Sequence, residues 1–259
     1  MYRIVKTELL KLKRYHILWA GVLLMLFTVV LTLFTSTAED GSVWTFANLV
    51  EQVIKNNALT IFPMCITLIT GYTIAREEKD DTLKIILPIP ISYRRLICGK
   101  LIVCGLISVF FGVISTLFTV CAELVVGFPG FSVMLSLQAL IQITLNCLFI
   151  YIAVLPIIAI VAQIPNGNMI GAIIAFVYGY GGMFAAGNMT LASIYPITAS
   201  LGLISYRSYD AAVNWNMPVC AFSMLIMIAL TAFIVLLIKD REPKKTVKKK
   251  KSPEQKKGW

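Results

Sequence analysis

The chain of 259 residues is 58% hydrophobic and only 14% charged, and its mean hydropathy is +0.83. Soluble domains are about half apolar and about one quarter charged, so this composition excludes an ordinary soluble domain and favours lipid as the solvent. A membrane-spanning helix needs roughly 20 apolar residues, and the length therefore allows six spans with short loops. The sequence predicts an all-α, polytopic membrane protein.

The chain begins with a basic segment, 1–16, in which leucines lie among lysines and arginines. This pattern predicts a short amphipathic helix at the membrane interface that leads into the first span. The apolar run after it is longer than the 7–15 residues of a signal-peptide core, so we expect it to remain as a spanning helix. The six-helix transmembrane domain is expected over 17–238, with spans at 17–35, 58–75, 101–126, 135–162, 169–187 and 217–238.

The connecting segments differ in character. Residues 36–57 are polar and are expected to join the first two spans. Residues 188–216 are too polar to span and retain apolar pieces, which predicts short helices that dip into the outer interface. Within them, Arg207 and Asp210 are expected to form a surface pair. Glu123 is expected at the outer interface, because a glycine- and proline-rich turn follows it.

The positive charges predict the orientation of the chain in the membrane. Of 23 lysines and arginines, five lie in 1–16, six in 76–100 and ten in 239–259. Six spans place these three clusters on one side, and basic residues in short flanks remain in the cytoplasm. Both termini are therefore expected inside. The basic tail, 239–259, is interpreted as a topology anchor or as a segment that binds anionic lipid.

Several kinds of site find no support in the sequence. The six cysteines form no CxxC pair and there is one histidine, His16, so no metal site or disulfide framework is expected. The tail lacks interleaved aromatic residues, which argues against nucleic acid as a partner. Residues 177–182 are similar to a potassium-channel filter, but they lie inside a span. Small residues at a helix–helix contact explain them better.

Residues 76–100 are the most informative part of the chain. Asp80 or Asp81 can cap a short helix, because a carboxylate accepts hydrogen bonds from the free N–H groups at a helix start. An apolar face follows at i, i+3 and i+4 spacing, and two prolines then end the helix. Ser92 can cap the next helix. A plain loop would need neither the helix nor the prolines. The apolar face consists of Leu83, Ile86 and Leu87, the prolines are Pro88 and Pro90, and the next helix carries Arg94, Arg95 and Lys100 in its first turns.

This segment resembles the one after the second span of ABC-2 type permeases. The family has an acidic start, a Thr-Leu, a Leu-x-x-Pro-like turn and an arginine before a Gly-Lys pair. The start of the chain, Glu8-Leu9-Leu10-Lys11-Leu12-Lys13, is also typical of that family. Length and motif are most similar to the permeases of lantibiotic-immunity and bacitracin-resistance exporters. The matching positions are Arg76-Glu77-Glu78, Thr82-Leu83-Lys84, Leu87-Pro88, Ser92, Arg94-Arg95 and Gly99-Lys100-Leu101.

The resemblance implies the permease subunit of an ATP-binding-cassette exporter in a bacterial plasma membrane, with an antimicrobial peptide or another amphipathic drug as substrate. Two permeases, identical or related, would pair with two ATPase subunits that bind ATP and Mg²⁺. The chain has no phosphate-binding loop, since Gly99-Lys100 lacks the earlier glycine and the following Ser or Thr, so no catalytic residue and no cofactor are expected in it. The resemblance implies a coupling helix at 77–87 that docks on the ATPase. The implied coupling residues are Glu77, Glu78, Asp80, Asp81, Thr82, Leu83, Ile86, Leu87, Pro88, Arg94 and Arg95.

Two other functions are compatible with six spans. A secondary transporter or channel would work without ATP, but it would need charged residues inside the membrane or internal repeats. The spans hold almost no charge, and no convincing repeat is visible. A membrane-anchored assembly protein without transport activity is the third hypothesis.

Overall fold

A computed structural model of the protein describes residues 2–12, 16–37, 44–79, 93–164 and 167–238. In these ranges every regular element is a helix, and the predicted all-α class is confirmed. The helices are α1 Tyr2–Leu12, α2 Ile17–Ser36, α3 Phe46–Asn56, α4 Phe62–Lys79, α5 Tyr93–Val126, α6 Val133–Val161, α7 Asn168–Ala185, α8 Met189–Ile194, α9 Pro196–Leu203 and α10 Met217–Leu237, with a π-helical turn, Asn57–Ile61, between α3 and α4.

Six helical stretches are long and apolar enough to cross a membrane, which confirms the predicted number of spans. The first and last spans, α2 and α10, are only 28% buried within the chain, whereas the second span is 72% buried. Large side chains such as Trp19, Phe34 and Phe233 are exposed on the peripheral helices. Because such faces are apolar, they are suited to lipid or to another membrane subunit. The second span therefore lies at the centre of the bundle.

The prediction that 36–57 is a polar connector is wrong in its second half, because α3 occupies 46–56 and is continuous with the second span. Thr45 caps this helix, and its hydroxyl accepts a hydrogen bond from the Asn48 N–H at 3.3 Å. The segment is polar on average, but its apolar residues recur with helical spacing and bury one face. That face consists of Phe46, Leu49, Val50, Val53 and Ile54.

A π-helical turn joins α3 to α4 at the point where the second span contains Pro63. Proline has no N–H to donate to the carbonyl four residues earlier, and a π turn shifts the bonding by one residue. Here the Phe62 N–H bonds to the carbonyl of Asn57, and the Thr60 hydroxyl donates to the carbonyl of Asn56 at 2.6 Å. The continuous stretch Phe46–Arg76 thus keeps its backbone groups bonded through the turn.

The third span begins earlier than the expected residue 101, because α5 starts at Tyr93. Its first two turns carry Arg94, Arg95 and Lys100, so the predicted helix with these residues in its first turns is confirmed, and it continues without a break into the apolar span. The charged residues are compatible with a helix, because arginine and lysine are good helix formers. The third span therefore extends beyond the hydrophobic layer on the side of the 80–92 segment.

The glycine-rich segment of α7 packs against the π-helical turn. A Cβ added at Gly179 would lie 2.9 Å from the carbonyl oxygen of Leu59, and one at Gly182 would lie 2.7 Å from a methyl group of Leu59. The absence of side chains lets the two helices touch at backbone distance. The interpretation of 177–182 as a helix–helix contact is confirmed.

The segment before the last span forms two short helices, α8 and α9, as expected. Asn188 caps α8, and Pro196 occupies the first turn of α9. Most of α9 is buried, including Ile197, Ala199 and Leu201. The helix α9 packs on α6 and α10, whereas α8 packs on α7, α9 and α10, so α9 belongs to the core of the bundle at this end.

Candidate functional site

The predicted coupling segment connects α4, which ends at Lys79, to α5, which begins at Tyr93. Glu77 and Glu78 lie in the last turn of α4. The role of these residues in coupling stays a prediction. The remaining predicted coupling residues before α5 lie outside the described residues: Asp80, Asp81, Thr82, Leu83, Ile86, Leu87 and Pro88.

A buried ion pair joins the N-terminal helix α1 to α5, and a hydrogen bond from the same lysine joins both to α4. The Lys100 ammonium of α5 lies 2.9 Å from Glu8 Oε2, and these side chains are only 1% and 3% exposed. Lys100 also donates to the carbonyl of Thr73 in α4 at 3.1 Å. Lys11 bonds the other Glu8 oxygen at 2.7 Å. We name Glu8, Lys11, Thr73 and Lys100 the basal clamp, because they connect α1, α4 and α5 at one point.

The charges in the basal clamp hold Glu8 in its ionised form. Burial raises the pKa of the Glu8 carboxyl, but the ammonium groups of Lys100 and Lys11 outweigh burial and leave the pKa below its ordinary value. A buried pair adds little net stability compared with well-packed apolar residues, whereas removal of one partner costs about 3–5 kcal/mol. The clamp therefore fixes where α1 lies against the α4–α5 pair.

The residue before Lys100 explains how α1 comes close enough for this pair. A Cβ added at Gly99 would lie 2.6 Å from Cγ2 of Ile4, which is closer than carbon atoms can approach. The Gly99-Lys100 pair thus has two structural tasks: the glycine makes room for α1 and the lysine binds its carboxylate. Sequence reasoning noted Glu8 and Lys100 as parts of separate motifs and did not pair them. Their opposite charges, both next to apolar spans, were the available signal.

The two arginines at the start of α5 have different environments. Arg94 Nε donates to the backbone carbonyl of Ile238, directly after α10, at 2.7 Å. Leu96 and Ile97 pack with Ile238 in the same region. Arg95 is exposed. Arg94 therefore ties the last span to the base of α5, and Arg95 is the one with a side chain open to a partner.

Two other predicted positions differ from expectation in detail. The expected pair of Arg207 and Asp210 is long at 3.9 Å, and the nearer carboxylate is Glu51 at 3.3 Å. Glu123 lies near the end of α5, and its side chain is only 3% exposed within the protein; its position at the outer interface stays a prediction. Among the described residues, no cluster of three His, Cys, Asp or Glu side chains could hold a metal ion.

Residues 4–182 match the profile of the ABC-2 family transporter proteins. The match covers more than half of the chain, and the chain therefore belongs to this family. It includes α1, α4 and α5, and with them every residue of the basal clamp. No individual curated protein matched the chain.

Family membership defines what kind of component the chain is. ABC-2 permeases are membrane-spanning components without catalytic activity, and ATP hydrolysis takes place on a separate subunit. The chain is accordingly a multi-pass membrane protein with an ATP-binding partner.

Proposed function

We propose that this chain is the permease of an exporter that removes an amphipathic antimicrobial peptide, of the lantibiotic or bacitracin-like type, or a similar drug from the membrane. The observation that carries the proposal is the basal clamp within an ABC-2 permease. It ties an N-terminal helix to both helices that lead into and out of the 80–92 segment. Extensive apolar surface on α2, α7 and α10 supports a substrate that is taken from lipid.

In this proposal the segment 77–87 is a coupling helix that docks on the ATPase. The acidic residues would face the ATPase, and Leu83, Ile86 and Leu87 would pack on it or on the membrane. Movement of the ATPase would then act on α4 and α5 together, because Lys100 bonds both Thr73 and Glu8. Such a lever moves packed helices as rigid bodies.

The proposed complex contains two permeases, identical or related, and two ATP-binding subunits. Both termini lie in the cytoplasm, on the side of the ATPase. This orientation follows from the charge clusters, since Lys55 and Arg207 alone fall on the opposite side. The basic tail would anchor this topology or bind anionic lipid.

Co-purification with its ATP-binding subunit tests the coupling role. Leu83→Asp and Leu87→Asp are expected to abolish association, because each places a charge in an apolar contact. Val133→Asp is the matched control, since Val133 is 71% exposed and lies at the other end of the bundle. Association that survives both leucine variants would refute the docking role of this segment.

A resistance assay tests the substrate. Cells that produce the permease with its ATPase are expected to tolerate a higher dose of a lantibiotic or of bacitracin, and an ATPase deficient in hydrolysis is expected to abolish the gain. Transport by the permease alone in liposomes without ATP would favour a secondary transporter instead. Unchanged tolerance to every peptide and drug would favour an assembly protein.

A further inference from the structure

An open polar cavity of about 260 Å³ lies along α3. The polar face of α3 forms one wall, with Asn48, Glu51 and Lys55 one helical turn apart. Tyr206 and Arg207, from the loop after α9, form the other wall, and Trp44 lies at the start of α3. The cavity is thus built from two segments that are about 150 residues apart in sequence.

The length of the second span places this cavity outside the hydrocarbon layer. The stretch Phe46–Arg76 has 31 residues and is roughly 46 Å long at 1.5 Å per residue. The hydrocarbon core is only about 30 Å thick. The polar residues of α3 therefore extend into the headgroup layer, where tryptophan and tyrosine side chains are enriched.

The cavity contains both signs of charge. Arg207 Nε lies 3.3 Å from Glu51 Oε2, and the Tyr209 hydroxyl donates to the other oxygen of Glu51. The ammonium of Lys55 is exposed and has no hydrogen bond or ion pair within the described parts of the chain. One cation is therefore free to bind an anion, next to a carboxylate that can accept further hydrogen bonds.

The backbone holds Arg207 in a conformation that is uncommon for a residue with a side chain. Ser205 and Arg207 have φ values of 55° and 49°, in the left-handed region that costs most residues about 1–2 kcal/mol. The Trp215 indole N–H donates to the carbonyl of Tyr206 between them at 2.8 Å. Strain of this kind persists where the surrounding structure enforces it, and it is common at binding sites.

We propose that this cavity binds a zwitterionic lipid headgroup that carries a phosphate and a primary ammonium. The phosphate binds Lys55 and Arg207, because a guanidinium and an ammonium are the preferred partners of phosphate. The ammonium donates to Glu51. The charged residues of the lining are Glu51, Lys55 and Arg207. Asp210 lies just outside the lining, 3.9 Å from Arg207, and with it the formal charges cancel, which suits a zwitterion better than an anion. The headgroup layer supplies such ligands at this depth, and the inference does not depend on the transported substrate.

Native mass spectrometry of the full-length chain in detergent tests this site. The chain is titrated with phosphatidylethanolamine, phosphatidylcholine and phosphatidylglycerol of identical acyl chains, and with soluble phosphoethanolamine. We expect phosphatidylethanolamine to bind about tenfold more tightly than the other two lipids. Phosphatidylcholine has no N–H donor for Glu51, and phosphatidylglycerol has no cation; a hydrogen bond to a charged group contributes enough for such a factor.

Variants assign the binding to the cavity. Lys55→Ala is expected to weaken phosphatidylethanolamine binding about tenfold, whereas Lys6→Ala, which removes an exposed lysine of α1, is expected to leave it unchanged. Glu51→Gln is expected to abolish the preference over phosphatidylcholine. If that variant does not fold, Lys55→Ala decides alone, because its ammonium has no partner within the described residues.

Three results would overturn the proposal. Equal binding of the three lipids would show that no headgroup is recognised. An unchanged affinity of Lys55→Ala would place the bound lipid elsewhere. Binding of soluble phosphoethanolamine as tightly as the lipid would assign the cavity to a soluble ligand of the same chemistry.

Discussion

Substitution of Lys100 by methionine removes the ammonium group that neutralises Glu8 inside the protein. Methionine keeps most of the length and volume of the side chain, so the main change is electrostatic. Glu8 then retains Lys11 as its single cation among the described residues, and the side chain of Lys11 is 33% exposed. The carbonyl of Thr73 also loses the hydrogen bond that Lys100 donates.

The expected loss of stability follows from the burial of the pair. Removal of one partner of a buried ion pair costs about 3–5 kcal/mol, and the remaining contact with Lys11 places this variant near 3 kcal/mol. Glu8→Leu is expected to cost a similar amount, because it leaves Lys100 buried without a carboxylate. The double variant Glu8→Leu/Lys100→Met leaves no buried charge and is expected to lie within about 1 kcal/mol of the natural protein.

Equilibrium unfolding in mixed micelles, followed by tryptophan fluorescence, measures these three variants as a double-mutant cycle. Single costs near 3 kcal/mol and a double variant within about 1 kcal/mol give a coupling energy of about 5 kcal/mol between positions 8 and 100, which is larger than the roughly 0.5–3 kcal/mol usual for residues in contact. Lys6→Met is the control, since Lys6 is an exposed lysine of the same helix. A coupling energy near zero, or a double variant as unstable as the sum of the single ones, would refute the basal clamp.

Three further predictions concern the helix contacts and the charge of Glu8. Gly99→Val is expected to lower the free energy of unfolding by about 1–3 kcal/mol through overpacking. Ile4→Ala is expected to restore part of this loss, because the new side chain would meet Ile4. A double variant no more stable than Gly99→Val alone would contradict this contact. Gly179→Val is expected to destabilise the bundle more than Gly187→Ala, since it meets a backbone carbonyl that cannot move aside, and equal unfolding midpoints would refute the reasoning. Because the pKa of Glu8 is lowered in the folded protein, its carboxylate contributes fully to the free energy of unfolding above about pH 4.5 and loses this contribution as the pH falls through the folded-state pKa. The difference in stability between the natural protein and Glu8→Gln should therefore shrink as the pH falls below about 4.5.

Local patterns in the sequence predicted most of the architecture. The all-α class and six spans follow from the length and number of apolar runs, and the two short helices before the last span follow from their mixed polarity. The second span begins at Phe46 and not at the predicted residue 58. Hydropathy averaged along α3 is low, because the average hides the apolar face of this helix. The helix that carries Arg94, Arg95 and Lys100 in its first turns follows from the capping and helix-forming pattern after the two prolines, whereas hydropathy counts only its apolar part, from residue 101, as span.

The candidate site was only partly predictable. Sequence motifs indicated that 76–100 and the N-terminal segment are important, and Gly99-Lys100 and Glu8 were both noted. Their pairing was not predicted, because 92 residues separate the two charges and no local pattern states which lysine meets which carboxylate. Arg207 shows the same limit: its neighbour in sequence, Asp210, was expected as partner, whereas Glu51 from a distant helix lies nearer.

The amino-acid sequence by itself determined that this protein lies in a membrane, how many times its helices can cross and which segments carry its positive charge. These properties depend on the free energy of transfer of each stretch from water to lipid, and this free energy is a sum over residues that are neighbours in the sequence. The tertiary structure alone decided that α1 is tied to α4 and α5 through Lys100, and that α3 and the loop after α9 line an open polar cavity. Those features depend on the packing of distant helices, because a buried charge is stable only where the fold brings its partner within hydrogen-bond distance.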